Sequence, residues 1–207
     1  LTRQLTAQRK GVATDFADAV ARELRELKMP GTRFRVDFPP AAAASKPSRW
    51  LQVDGQPLSA SGVDQAVFMI APNVGEALKP LASIASGGEL SRVVLALKAI
   101  LAQTDAVGTI IFDEVDAGIG GAVADVVGKK LNALSTKHQL ICITHLPQIA
   151  RFGSHHYYIE KKVRKGRTVT VIRPMNPEER IHEIARMLGG EKITGTALAH
   201  ARSLMTP

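Results

Sequence analysis

Ile110-Ile111-Phe112-Asp113-Glu114-Val115-Asp116-Ala117-Gly118 carries the strongest signal of fold class in the chain. A short apolar run between Gly108 and Gly118, rich in β-branched residues, predicts a strand buried on both faces, as in a parallel α/β sheet. The run ends in two adjacent carboxylates. Open α/β sheets bind ligands beyond the carboxyl ends of their strands, which makes Asp113 and Glu114 candidates for chemistry. Adjacent acids raise each other's pKa unless a cation lies near, and a magnesium nucleotide supplies one. A strand whose polar end simply meets water accounts for the segment equally well.

The residues that follow extend the α/β reading. Gly118-Ile119-Gly120-Gly121 reads as a turn, about Ala122 to Leu134 as a helix, and Gln139 to Thr144 as a second buried strand ending at His145. A strand-helix-strand unit of this length is most economically a right-handed parallel crossover. Asp113, Glu114 and His145 are therefore expected at one sheet edge. Gly128-Lys129-Lys130 does not make a phosphate loop, because Val123 stands where a glycine is needed and Lys130 where Ser or Thr would hold magnesium. His138, His155, His156, His182 and His200 show no metal-ligand spacing.

Upstream, Leu1 to about Lys28 carries Leu5, Val12, Phe16, Val20, Leu24 and Leu27 at helical spacing, with Met29-Pro30-Gly31 as the stop. Thr32 to Phe38 alternates as a half-buried strand. Pro39 to Ser48 reads as a loop, and Trp50 to Val53 and Gln65 to Ala71 as two more strands. An antiparallel β portion is thus predicted ahead of the α/β part, with Asn73 to Pro80 irregular. A helix begins in Ser86-Gly87-Gly88-Glu89-Leu90-Ser91-Arg92, where Ser86 and Glu89 have capping-box spacing. A capping box does not explain two glycines in a first turn, which cost about 1 kcal/mol each relative to alanine. Bare amides at a helix start suit an anion, so this is a candidate phosphate site.

Downstream, Tyr157 to Val163 and Thr168 to Arg173 read as a hairpin joined by Arg164-Lys165-Gly166-Arg167. Its basic tip suits either a DNA backbone or a solvated edge. Asn176-Pro177-Glu178-Glu179 starts a helix that Gly189-Gly190 ends, and a last helix spans about Thr196 to Leu204.

At 207 residues the chain can build one sizeable core or a domain with an appendage, and its formal charge of +8 allows a polyanionic partner. The single Cys142 excludes a disulfide framework and a thiolate zinc site. No apolar run has membrane-spanning length, so a cytoplasmic location is expected. The opening Leu1-Thr2-Arg3-Gln4 reads as mid-helix, as in a piece of something longer.

Taken together, Ser86-Gly87-Gly88-Glu89-Leu90-Ser91 resembles the signature motif of ABC-type ATPases, in the form found in structural-maintenance-of-chromosomes-like proteins. Ile110-Ile111-Phe112-Asp113-Glu114 is similar to their Walker B strand, Asp116-Ala117-Gly118 to the D-loop, and His145 to the switch histidine. The resemblance implies the C-terminal lobe of a P-loop ATPase head acting in recombinational DNA repair. It implies ATP and Mg2+ as cofactors, with Asp113 as metal ligand and Glu114 as general base. His145 would sense the γ-phosphate. Ser86, Gly87, Gly88 and Glu89 would face nucleotide held by a second head, and Asp116 would lie across that interface. Implied partners are the chain's own N-terminal head lobe with its Walker A loop, a second head in a homodimer, and DNA, without a membrane.

The sequence departs from the family in one respect. The phosphate-binding loop, which the family carries in the N-terminal part of the head, is not in this sequence. Residues 1–30 are accordingly expected to be the returning end of a coiled-coil arm and residues 31–207 the lobe, inactive in isolation. Two other readings stay open. One is the ATPase subunit of an ABC transporter, although those usually have proline where Val115 stands. The other is a non-catalytic DNA-binding or dimerisation module.

Overall fold

The computed structural model describes residues 1–39, 52–60, 62–84, 87–104, 106–164, 166–190 and 192–205. The chain divides into two compact units, Leu1–Asp105 and Ala106–Pro207.

In the first unit, helix α1 (Thr2–Glu26) packs against strand β1 (Arg33–Asp37) and helix α2 (Gly87–Leu101). Its periodic residues Val20 and Leu24 are fully buried, as is Leu27 just beyond its end; each contributes roughly 1.5–3 kcal/mol by leaving water. Phe16 of α1 meets Phe34 and Phe68 in an aromatic cluster with centroids 5.6–6.2 Å apart. The helix ends a few residues before Met29-Pro30-Gly31. Lys28 adopts a left-handed conformation (φ 61°), and the Met29 amide donates back to the Leu24 carbonyl at 2.9 Å, which closes the last turn.

The predicted antiparallel portion is present. β1 pairs with β4 (Val67–Ala71), and β4 pairs with β5 (Lys79–Pro80). β5 falls in the stretch expected to be irregular; proline is tolerated there because β5 lies at the edge of the sheet. β2 (Gln52–Val53) and β3 (Gln56–Pro57) form a small hairpin. Trp50, placed in a strand by the sequence reading, lies outside the described residues. Polar contacts tie the first half of α1 to this region. Arg3 pairs with Asp54 at 2.6 Å, and the Thr6 hydroxyl donates to the buried Asp64 carboxylate at 2.7 Å.

In the second unit, β6 (Thr109–Phe112), α3 (Gly121–Leu134) and β7 (Gln139–Cys142) form the expected parallel crossover, with Ile110 opposite Leu140 and Phe112 opposite Cys142. The prediction of a strand buried on both faces does not hold within this chain. Ile110 and Phe112 are buried, whereas Ile111, Ile141 and Ile143 on the opposite face are 65, 47 and 50% exposed. Among the described residues this sheet has two strands, and no layer covers the face that carries these three side chains.

A short helix α4 (Pro147–Ala150) follows His145 and packs on α3. Gly128 makes that packing possible, because a Cβ there would stand 2.5 Å from the Phe152 ring and 2.9 Å from the Gln148 carbonyl. Its neighbour Lys129 pairs with Asp125 at 2.8 Å, as a surface lysine rather than a phosphate-loop lysine. Strands β8 (Tyr157–Arg164) and β9 (Arg167–Pro174) form the predicted hairpin. Helices α5 (Pro177–Gly189) and α6 (Gly195–Met205) bury Ile184, Ala185 and Ala201 between them. Asn176 and Glu179 form a reciprocal capping box at the start of α5, and Gly190 ends the helix with φ 80°.

Candidate functional site

The parallel register places the residues after β6 and β7 at one edge of the sheet. The Ile143 amide donates to the Phe112 carbonyl at 2.9 Å, the last rung before the two strands part. Asp113 and Glu114 follow on one side, Thr144 and His145 on the other. Both acids are exposed.

Glu114 takes a left-handed backbone conformation, φ 56°, and its carbonyl accepts from the Ala117 amide at 3.0 Å. Positive φ is uncommon outside glycine, asparagine and aspartate, and where it persists it marks a backbone held by its surroundings, often at a functional site. Val115, next in the chain, is fully buried and anchors the turn that turns Glu114 outward.

Asp116 behaves differently from its two acidic neighbours. It is 3% exposed and its Oδ2 is the centre of a network. The Thr144 hydroxyl donates to it at 2.6 Å, the His145 amide at 3.0 Å, and the His145 ring lies with Nδ1 at 3.0 Å. The Thr144 oxygen in turn accepts from the Leu146 amide at 3.1 Å, which organises the entry into α4. A carboxylate taken out of water needs such donors, and Asp116 has two hydrogen bonds, from the Thr144 hydroxyl and the His145 amide, with the imidazole in contact beside them. Its position orients the imidazole with Nδ1 inward and leaves the ring 74% exposed, so Nε2 is the nitrogen free to face a ligand. The sequence reading brought His145 to the carboxylate edge but missed Thr144. A threonine at the end of an apolar strand reads as more strand, and its partner lies far back in the chain.

Cys142 is the last residue of β7, opposite Phe112. Burial pushes its thiol up to about 12, with the negative charges of Asp116 and Asp113 adding to the effect. It is a neutral thiol at physiological pH, neither a nucleophile nor a metal ligand.

Among the described residues no group of three or more His, Cys, Asp or Glu side chains gathers into a metal cage. One exposed carboxylate at a sheet edge does fit Mg2+, which is held by one or two carboxylates and otherwise by water and phosphate oxygens. The donor set therefore suits a magnesium nucleotide better than a resident metal ion.

In the first unit, α2 begins at Gly87, and Ser86 lies outside the described residues, as does the capping role predicted for it. Gly88 is buried and Gly87 exposed. Burial of the Arg92 guanidinium pulls its pKa below the usual arginine value, and Glu89 in the first turn of α2 offsets only part of that.

The chain is similar along nearly its whole length to the DNA repair protein RecN. It is 42% identical over 199 residues to RecN of Bacillus subtilis, covering 95% of this chain, and 43% identical over 203 residues to RecN of Treponema pallidum, covering 98%. It spans about a third of the length of these relatives, 34% in each case. Among solved structures, the Smc head domain with a coiled coil and joint from Pyrococcus yayanosii aligns with a TM-score of 0.52 at 19% identity, over 86% of this chain and 29% of that one. That likeness concerns the fold, a mixed α/β head with parallel and antiparallel sheets. No protein-family profile matches the chain.

Proposed function

We propose that this relative of RecN is the C-terminal lobe of an ATPase head that acts in DNA double-strand break repair, and that it supplies one side of ATP sites shared with its N-terminal lobe and a second head. The observation that carries this reading is the pair of constellations: an exposed Asp-Glu at the end of a parallel strand beside a carboxylate-oriented histidine, and a separate glycine-led helix start. A site closed within one chain would need its own phosphate loop. Composite sites divide the parts in the way this sequence does.

In this reading Asp113 holds Mg2+, which when bound neutralises phosphate charge and polarises the γ-phosphate. Glu114, turned outward by its left-handed backbone, holds the attacking water and accepts its proton. His145 presents Nε2 toward the γ-phosphate. Asp116 is a positioning residue acting through His145, and Thr144 holds Asp116. Ser86 and the amides of Gly87 and Gly88 receive the γ-phosphate of nucleotide bound by the opposite head, at the positive end of α2. Residues 1–30 form the returning end of a coiled-coil arm.

The open face of Ile111, Ile141 and Ile143 supports the missing-lobe part of the proposal. Apolar side chains on a sheet of only two strands lose contact with water when further strands and a covering layer are added.

The test is reconstitution. The chain alone is expected to hold ATP weakly and not to hydrolyse it. Co-expressed with the N-terminal lobe of a RecN relative, it should form an ATPase that Glu114→Gln inactivates while leaving nucleotide binding intact. Turnover by the isolated chain that Glu114→Gln removes, or turnover by the reconstituted head that ignores Glu114, would overturn the reading.

A further inference from the structure

We infer that the β8–β9 ribbon is a duplex-DNA contact, made through Lys161, Arg164 and Arg167 to backbone phosphates. The inference rests on the DNA-acting reading above but concerns a surface that the nucleotide chemistry does not use.

The ribbon is exposed on both faces over its distal half, since residues 161–164 and 166–170 are all exposed. A two-stranded ribbon is marginal in water unless it packs on something, so a distal half that covers no core calls for another use. Arg164 and Arg167 stand directly opposite each other across the turn, which is closed by Gly166 at φ 72°. Like charges placed opposite each other destabilise a ladder.

Protecting a strand edge from aggregation does not require this arrangement, because either sign of charge serves and mixed signs serve without repulsion. The acids present are used elsewhere: Glu160 pairs with Lys162 at 2.5 Å, and Glu179 with Arg173 at 2.7 Å near the base. Among the described residues, Lys161, Arg164 and Arg167 make no ion pair. Lys165, between them in sequence, lies outside the described residues.

Unpaired cations of one sign on a projecting ribbon match a polyanion. Duplex DNA fits best. Its major groove, about 12 Å wide, admits a two-stranded ribbon, and arginine forks suit phosphate oxygens. Ligand release would follow salt, because each phosphate neutralised frees condensed counterions.

The experiment measures binding of the whole chain to a labelled 30-base-pair duplex by fluorescence anisotropy, across salt concentrations. Lys161→Gln/Arg164→Gln/Arg167→Gln is compared with the parent and with a charge-matched control, Lys10→Gln/Lys137→Gln/Lys192→Gln. Loss of three phosphate contacts should reduce the slope of log K against log salt by about 2.7, at about 0.9 per contact. Between 50 and 200 mM salt the parent should then lose roughly 40-fold more affinity than the ribbon variant. The control should keep the parent's slope.

Equal losses in both triple variants, an unchanged slope in the ribbon variant, or no binding by the parent at 50 mM salt would each overturn the inference. So would poly-glutamate competing as well as DNA at equal charge concentration, because the surface would then suit acidic protein. If thermal unfolding shows that the triple variant does not fold, Arg164→Gln and Arg167→Gln singly should each lower the slope by about 0.9, and unchanged slopes overturn the proposal. The nucleotide reading is judged apart, by Glu114-dependent hydrolysis without DNA.

Discussion

The Thr144 hydroxyl donates to the Asp116 carboxylate at 2.6 Å, joining the turn after β6 to the turn after β7 and fixing the backbone that carries His145. Each of the two parallel strands delivers one half of this bond, so it exists only when their register is correct. Stability and the aim of the imidazole depend on the same contact.

Thr144→Val removes one of the two hydrogen bonds to a buried carboxylate and leaves that of the His145 amide. Charge-assisted bonds of this kind contribute about 1.5–3 kcal/mol, so unfolding in urea should show a loss in that range. In the reconstituted ATPase the same substitution should lower kcat with a smaller change in KM, because it disturbs orientation rather than nucleotide affinity. His145→Ala combined with Thr144→Val should then cost less than the sum of the two.

Gly128→Ala tests the seating of α4 on α3. The added methyl meets the Phe152 ring and the Gln148 carbonyl inside van der Waals distance, and overpacking of this kind costs about 1–3 kcal/mol. Adding Phe152→Leu should recover only part of the loss, because the Gln148 carbonyl is backbone and cannot swing aside. Urea midpoints for the three proteins read this directly.

Ile111→Ser together with Ile141→Ser changes side chains that lie open in this chain. Stability of the chain alone should stay within about 0.5 kcal/mol, as for ordinary surface substitutions. Association with a co-expressed N-terminal lobe should weaken sharply, as measured by gel filtration or co-purification. A full loss of stability without the lobe, or unchanged association with it, would remove the role given to this face.

His156 supplies a pH dependence. Its Nε2–H donates to the Ala150 carbonyl at 2.8 Å, while burial, with Arg180 adding to it, holds the ring's pKa below the ordinary histidine value. A histidine depressed in the folded state contributes stability that is present above its unfolded pKa of about 6.5 and is lost as pH falls through the folded value. Thermal stability should therefore decline from pH 7 toward pH 5, and His156→Gln should flatten that decline.

Much of the fold was legible from one-dimensional pattern. Helical spacing from Leu5 to Leu27 announced α1, alternation in Thr32–Phe38 announced β1, and the apolar run before Asp113 together with that before His145 announced a parallel pair. These signals are local, because side-chain direction repeats with the period of the element. The shared edge of Asp113, Glu114 and His145 was legible for the same reason: all three lie within three residues of the ends of two paired parallel strands.

Pairing across the chain was not legible. Nothing in the sequence signalled that the buried carboxylate of Asp116 is engaged by Thr144 and His145 of its own chain, a relation set by strand register and compatible with the place proposed for it at the interface with a second head. The left-handed backbone of Glu114 had no sequence cue, since glutamate does not favour that region; buried Val115 beside it holds the turn. The open face of Ile111, Ile141 and Ile143 was hidden too. A run of apolar residues states that a strand prefers burial on both faces, while only the number of strands and layers around it decides whether both faces are covered.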